Sequence, residues 1–123
     1  MAYKILLFMK RKPGMSMAEF KDYYENRHVP LAMANSGGRG GGITRYVRRY
    51  LTPLAHAESG TNEELPYDVV SELWFEDEAI FRGTAEYLAT TVMNDAVVND
   101  EMNLFHRPTM RMAIVEECET PMD

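Results

Sequence analysis

Four short runs of β-branched and aromatic residues, interleaved with stretches of helical spacing, constrain this chain more than any other feature. The runs are Tyr3–Lys10, Ile43–Leu51, Val69–Phe75 and Met110–Glu116, and residues of these types favour a pleated, half-buried surface. Helical periodicity fills the gaps after the first and the third run. The order strand, helix, strand, strand, helix, strand predicts an α+β unit of the ferredoxin-like βαββαβ kind, with an antiparallel four-stranded sheet and its helices on one face. A length of 123 residues suits one domain spanning 1–123.

Local signals place the elements. Pro13-Gly14 ends the first strand. Ser16 and Glu19 fit a capping box, in which the hydroxyl and the carboxylate each satisfy a free amide at a helix start. At about 100° per residue, Met17, Phe20, Tyr24 and His28 share one arc, so His28 belongs to the buried face. Pro30 disfavours helical geometry at Val29, which predicts that the helix stops there with His28 in its last turn.

Ser36–Gly42 is a glycine-rich connection without the Gly-Lys-Ser/Thr ending of a phosphate loop. In the second strand, alternation puts Thr44, Tyr46, Arg48 and Tyr50 on one face and Arg45, Val47 and Arg49 on the other. Residues 55–66 read as a mobile surface loop with a solvated His56, and 117–123 as a frayed acidic tail. Asp77 and Glu78 open a second helix whose buried face carries Ile80, Phe81, Thr84, Tyr87 and Leu88. A further helix runs to about Phe105, with Asp100 on the apolar side beside Met93, Val97 and Leu104.

The strands are apolar on both faces: Ile5, Leu7 and Met9 oppose Leu6 and Phe8, while Leu73 and Phe75 oppose Val70 and Trp74. With helices on one face only, a second copy of the chain is expected on the other, making a homodimer. A net charge of −6 with interspersed basic residues disfavours nucleic acid as a partner. The apolar run at Tyr3–Lys10 is too short to span a bilayer and lacks the flanks of a signal peptide, and the lone Cys118 forms no internal disulfide, so the chain is expected in the cytoplasm and away from membranes. His28, His56 and His106 have no metal-ligand spacing, and no feature demands a cofactor.

Two polar residues interrupt apolar helix faces, and both face the sheet. His28 and Asp100 are therefore candidates for an acid–base pair in which the carboxylate orients the imidazole, the side chain whose charge changes near neutral pH. Glu72, on the third strand, is a third catalytic candidate, and Tyr24, Tyr46 and Trp74 are candidate walls for a small hydrophobic molecule bearing oxygens. Structural roles compete for the same residues. His28 and Asp100 also suit a purely structural pair, Asp100 a partner for Arg27, Glu72 a partner for Arg45 or Arg48 in a dimer interface, and the aromatics ordinary core.

The residues carry a resemblance. The run KRKPGMSMAEFKDYYENRHVPLA, followed by ITRYVRRYL, DVVSELWFEDEAIF and NDEMNLF, resembles the EthD-domain family over nearly the whole chain. The most specific pieces are Tyr24, His28, Pro30 and Leu31, supported by Asp100, Glu101 and Phe105. Tyr24 stands where the family often has tryptophan, and His106 where an aspartate is common. The resemblance implies a dimeric α+β barrel with a cavity between sheet and helices in each subunit. Proteins of this fold range from isomerases and dehydratases to cofactor-free oxygenases and members without known activity. Together these features point to a cofactor-independent enzyme that dehydrates, isomerises or decarboxylates a hydrophobic oxygenated ring compound. The alternatives are a non-catalytic ligand-binding or accessory protein and a cofactor-free oxygenase.

Overall fold

A computed structural model describes residues 2–34, 42–58, 60, 63–90 and 93–122, with the side chains of residues 87–90 and 93–95 outside the description. Strands β1 (Tyr3–Met9), β2 (Ile43–Tyr50), β3 (Val69–Phe75) and β4 (Arg111–Ile114) form one antiparallel sheet in the order β2-β3-β1-β4. Helices α1 (Met17–Tyr23) and α2 (Val29–Ala34) follow β1, and α3 (Glu78–Thr90) and α4 (Met93–Leu104) follow β3. This is the ferredoxin-like arrangement. The glycine-rich stretch at 36–41, the side chains of Tyr87, Leu88 and Met93, and residues 59, 61 and 62 of the 55–66 loop lie outside the described residues.

Strand alternation decides which residues meet the helices. Ile5 and Met9 of β1 and Val69, Ser71 and Phe75 of β3 are buried on the helix side, while Leu6, Phe8, Val70 and Trp74 of the opposite face are only part-buried. Phe20 of α1 is fully buried and packs edge-on against Tyr24, Tyr50 and Phe105. Met9, Val69 and Leu104 complete this cluster. Truncating Phe20 to alanine removes the centre of the cluster, a change that costs about 3–5 kcal/mol in cores of this kind.

The first helix starts as its sequence dictates. Glu19 N–H donates to Ser16 Oγ at 3.1 Å, and Ser16 N–H donates to Glu19 Oε1 at 3.0 Å. Its end differs from expectation. The helix does not stop before Pro30; it widens into a five-residue π turn, Tyr24–His28, closed by Val29 N–H donating to Tyr24 O, and continues as α2 to Ala34. Proline has no amide hydrogen, and its ring collides with the carbonyl four residues back in a regular helix. A π turn just before Pro30 opens the backbone at that point, so the chain remains helical and His28 stays on the inner side.

Strand β2 also departs from simple alternation. Its register with β3 shifts between Ile43 and Arg45, so Thr44 is an extra residue in the ladder. Such a bulge turns the strand locally, and Ile43 comes to line the same cavity as Tyr46, although strict alternation would separate them. Gly42 leads into the bulge with φ 81°, and a Cβ there would lie 2.5 Å from Ile80 Cγ2 of α3. Only glycine combines that backbone angle with that approach.

The far end of α4 is tied to the end of β1. Lys12 N–H donates to Leu104 O and His106 N–H to Lys10 O, each at 2.8 Å. These bonds fix the end of α4 beside the sheet, and the contact of α4 with the π turn, made by His28 and Asp100, assembles the site.

Candidate active site

The π turn presents His28 and α4 presents Asp100 to each other. His28 Nδ1 lies 2.8 Å from Asp100 Oδ2, and Tyr23 OH donates to Asp100 Oδ1 at 2.6 Å. Both carboxylate oxygens are thereby engaged by one helical segment. The bond to Asp100 raises the Tyr23 phenol, with burial adding to it. The His28 ring is buried and packs edge-on against Tyr24 and Phe105, each at 5.5 Å. A carboxylate on Nδ1 fixes the tautomer that carries its hydrogen there, leaving the Nε2 lone pair to act. Arg27, a candidate partner for Asp100 on sequence grounds, instead lies 5.3 Å over the Tyr23 ring.

His28 lines a cavity of about 330 Å³ between the sheet and the helices. Its walls are mainly apolar, with Leu7, Met33, Leu73, Phe75 and Phe81 among them, and the polar groups reaching it include His28, Tyr46 and Glu101. A few polar groups on an apolar wall is the usual make-up of a small-molecule site.

Tyr46 faces this cavity from β2, and Tyr24 stands behind it. Tyr24 OH meets Tyr46 OH and Ser71 Oγ, both at 2.7 Å, forming a chain of three hydroxyls. Burial pushes the Tyr46 phenol well above its ordinary value, with the Tyr24 hydroxyl adding to the effect, and burial likewise raises Tyr24. Both phenols are therefore neutral near pH 7 and act as hydrogen-bond donors or acceptors, not as charges. Arg48 stacks 4.7 Å over the Tyr46 ring and pairs through two nitrogens with Glu25 at 2.8 and 2.6 Å, while Tyr50 donates to Glu25 at 2.5 Å. This clamp ties the π turn to β2.

Glu72 and Trp74 do not join the site. They alternate with Ser71, Leu73 and Phe75 and so project from the sheet face away from His28. Trp74 Nε1–H donates to Glu72 Oε2 at 2.7 Å, Arg49 lies 3.5 Å from the same carboxylate, and the indole sits between Lys4 at 4.1 Å and Arg45 at 4.7 Å. Of the two arginines considered as partners for Glu72, Arg48 is taken by Glu25 and Arg45 by the indole. With apolar residues on both faces of β3, the sequence could not say which face meets the helices.

Glu101 was missed as a site residue. It lines the cavity four residues after Val97, which also lines it, so helical spacing carried the signal. Ser71, fully buried at the end of the hydroxyl chain, carried none. Among the described residues no group of three or more His, Cys, Asp or Glu side chains is placed to hold a metal, and no helix is long and apolar enough to cross a membrane.

Comparison with known proteins agrees with this architecture. An EthD family protein from Bacillus halodurans C-125 superposes with a TM-score of 0.61 at 16% identity, over 96% of this chain and 100% of that one. An EthD-like protein from Ralstonia eutropha JMP134 gives 0.56 at 17%, over 93% and 86%. A NIPSNAP-like domain protein from Burkholderia xenovorans gives 0.57 at 15%, over 99% and 91%. At such identities these likenesses concern the fold alone. No curated protein matches the sequence. Residues 12–108, which include the π turn, β2, β3 and α4, match the EthD domain, and the chain belongs to the EthD family.

Proposed function

We propose that this protein is an enzyme that binds a small, hydrophobic, oxygenated ring compound between its sheet and helices and acts on it by acid–base chemistry without a cofactor. The observation that carries this reading is His28, oriented by Asp100 at 2.8 Å and lining an apolar cavity. Nε2 of His28 is the base, Asp100 stabilises the imidazolium that forms, and the neutral Tyr46 phenol bonds to a ligand oxygen. Dehydration, isomerisation and decarboxylation all begin or end with such a proton transfer.

The chain acts as one domain and as a homodimer. Supporting this, the sheet face opposite the helices carries Leu6, Phe8, Val47, Val70 and Trp74, all only part-buried in the single chain. A second copy across a two-fold axis would cover them. A competing reading is a ligand-binding or accessory protein without turnover, favoured by the burial of His28 at 4% exposure and its packing on two rings.

Native mass spectrometry of the protein beside its His28→Ala variant tests the proposal. We expect a dimer that retains a small non-protein mass, and a dimeric variant that has lost it. A monomer overturns the two-subunit reading, and a variant that keeps the same bound mass overturns the role of His28. Dimers empty in both proteins turn the balance to the accessory reading.

A further inference from the structure

A second carboxyl reaches the cavity that holds His28. Glu101 follows Asp100 on α4, yet the two point to different tasks: Asp100 is engaged by His28 and Tyr23, whereas Glu101 lines the cavity itself. Its side chain is 17% exposed. The charged groups around it are His28 from the π turn, Arg107 from the turn at Arg107–Thr109, and Asp100 on its own helix. Ile5 and Leu7 of β1, Met112 of β4 and Met110 just before it, which line the same cavity, are apolar.

Among the described residues, the cation paired with Glu101 is Arg107. Its Nε lies 3.5 Å from Glu101 Oε1, beyond a good hydrogen bond, and that nitrogen has no hydrogen-bond partner among the described residues. The Arg107 side chain as a whole is 37% exposed, although the Nε that faces Glu101 is buried. Burial is the larger influence and lifts the Glu101 carboxyl above its ordinary value, against the pull of His28 and Arg107. The cavity thus holds an imidazole whose orientation is fixed and a carboxyl that binds its proton more tightly than an ordinary glutamate does.

We propose that Glu101 is the general acid that works together with His28, donating its proton to the carbonyl oxygen of a bound ketone while His28 removes a proton from the adjacent carbon. The inference rests on the reading of the cavity given above. In this step the C–H bond breaks and its electron pair becomes the C=C bond of the enol. The carbonyl π pair moves to oxygen and takes up the proton of Glu101. Glu101 is left as a carboxylate and His28 as an imidazolium, and reversal returns both to their starting states without any oxidant or further reactant. The ligand class is therefore a neutral cyclic ketone or hydroxyketone, whose carbonyl oxygen can take up the proton and whose body suits the apolar walls.

The probe is 1-tetralone, a bicyclic ketone with no titratable group, incubated with the protein in D₂O while deuterium entry at the carbon next to the carbonyl is followed by NMR. The wild type is expected to speed exchange over buffer, Glu101→Gln to lose about 100-fold of that rate, the low end of the usual contribution of a general acid, and His28→Ala to lose it entirely. A second readout is a ¹³C carboxyl titration of glutamate-labelled protein, with the Glu101 signal identified by its loss in the near-isosteric Glu101→Gln. It is expected to titrate above the ordinary value of about 4.3. Titration at or below that value overturns the assignment, as does unchanged exchange in Glu101→Gln. A wild type that retains 1-tetralone through His28 but does not exchange it also overturns the assignment, while leaving the binding cavity standing. A wild type that neither binds nor exchanges the probe removes both.

Discussion

His28 and Asp100 stand 72 positions apart and meet through one 2.8 Å hydrogen bond between a π turn and the fourth helix. The bond is nearly closed to solvent, with side-chain exposures of 6% and 14%. It has two consequences, one for stability and one for the chemistry of the ring.

Replacing Asp100 by asparagine keeps the shape and removes the charge. The amide can present its NH₂ to Nδ1 and so select the opposite tautomer, with Nε2 carrying the hydrogen. We expect a loss of about 1–3 kcal/mol for the weakened buried pair, measured by urea denaturation, and a loss of exchange activity much larger than that stability change predicts. Equal activity in Asp100→Asn would make the pair purely structural.

Tyr46→Phe leaves the ring beneath Arg48 and deletes the hydroxyl that faces the cavity. Tyr24 keeps Ser71 as a partner, so the stability cost should stay near 1 kcal/mol. Ligand retention in native mass spectrometry should fall. Tyr24→Phe breaks the hydroxyl chain at its centre and should cost more, because Tyr46 and Ser71 both lose their shared partner; comparing the melting temperatures of the two variants checks the order.

The Arg48 guanidinium holds the Glu25 carboxyl below its ordinary value of 4.5, against the opposing effect of burial. A carboxyl with a depressed folded-state value binds fewer protons folded than unfolded in the window between the two values. Its contribution to stability is complete above about 4.5 and is lost as the pH falls towards the depressed value. Arg48→Met should flatten that acid limb in a series of melts at decreasing pH. Glu101 has the opposite sign. Its raised value means that the folded state binds the extra proton, so its contribution is present at acid pH and is lost as the pH rises above about 4.5. Glu101→Gln should therefore gain on the wild type from pH 4 to pH 7.

If the proposed dimer forms through the sheet face away from the helices, a charge placed there should separate its subunits. Phe8 is part-buried there, at the position paired with Val70 of β3, and its ring lies 5.3 Å from that of Tyr67. Phe8→Arg is expected to yield a folded monomer in analytical ultracentrifugation, with its far-UV circular dichroism retained. A dimer of unchanged affinity would place the interface elsewhere.

Much of the architecture was legible because local chemistry and global fold agree. Ser16 and Glu19 are enough to start α1, since both partners of a capping box lie within one turn of chain. The order of strands and helices was enough for the sheet, although not for which of its apolar faces meets the helices. The arc that joins Phe20, Tyr24 and His28 survives in the fold because a π turn and an α turn both keep residues four apart on one side.

Tertiary structure decided the rest, wherever the outcome depends on contacts between distant segments. Pro30 announces a disturbance in the helix, but not that a π turn would carry the chain through it in helical form. One extra residue at Thr44 changes which side chains of β2 share a face, and no periodicity announces it. Glu72 and Trp74 looked like neighbours of His28 because β3 is apolar on both faces; the helices cover the other one. Asp100 and Glu101 are adjacent acids of nearly equal chemistry in the sequence. Neighbours on α4 are turned about 100° apart, and the contact of that helix with the π turn gives one to the imidazole and the other to the cavity.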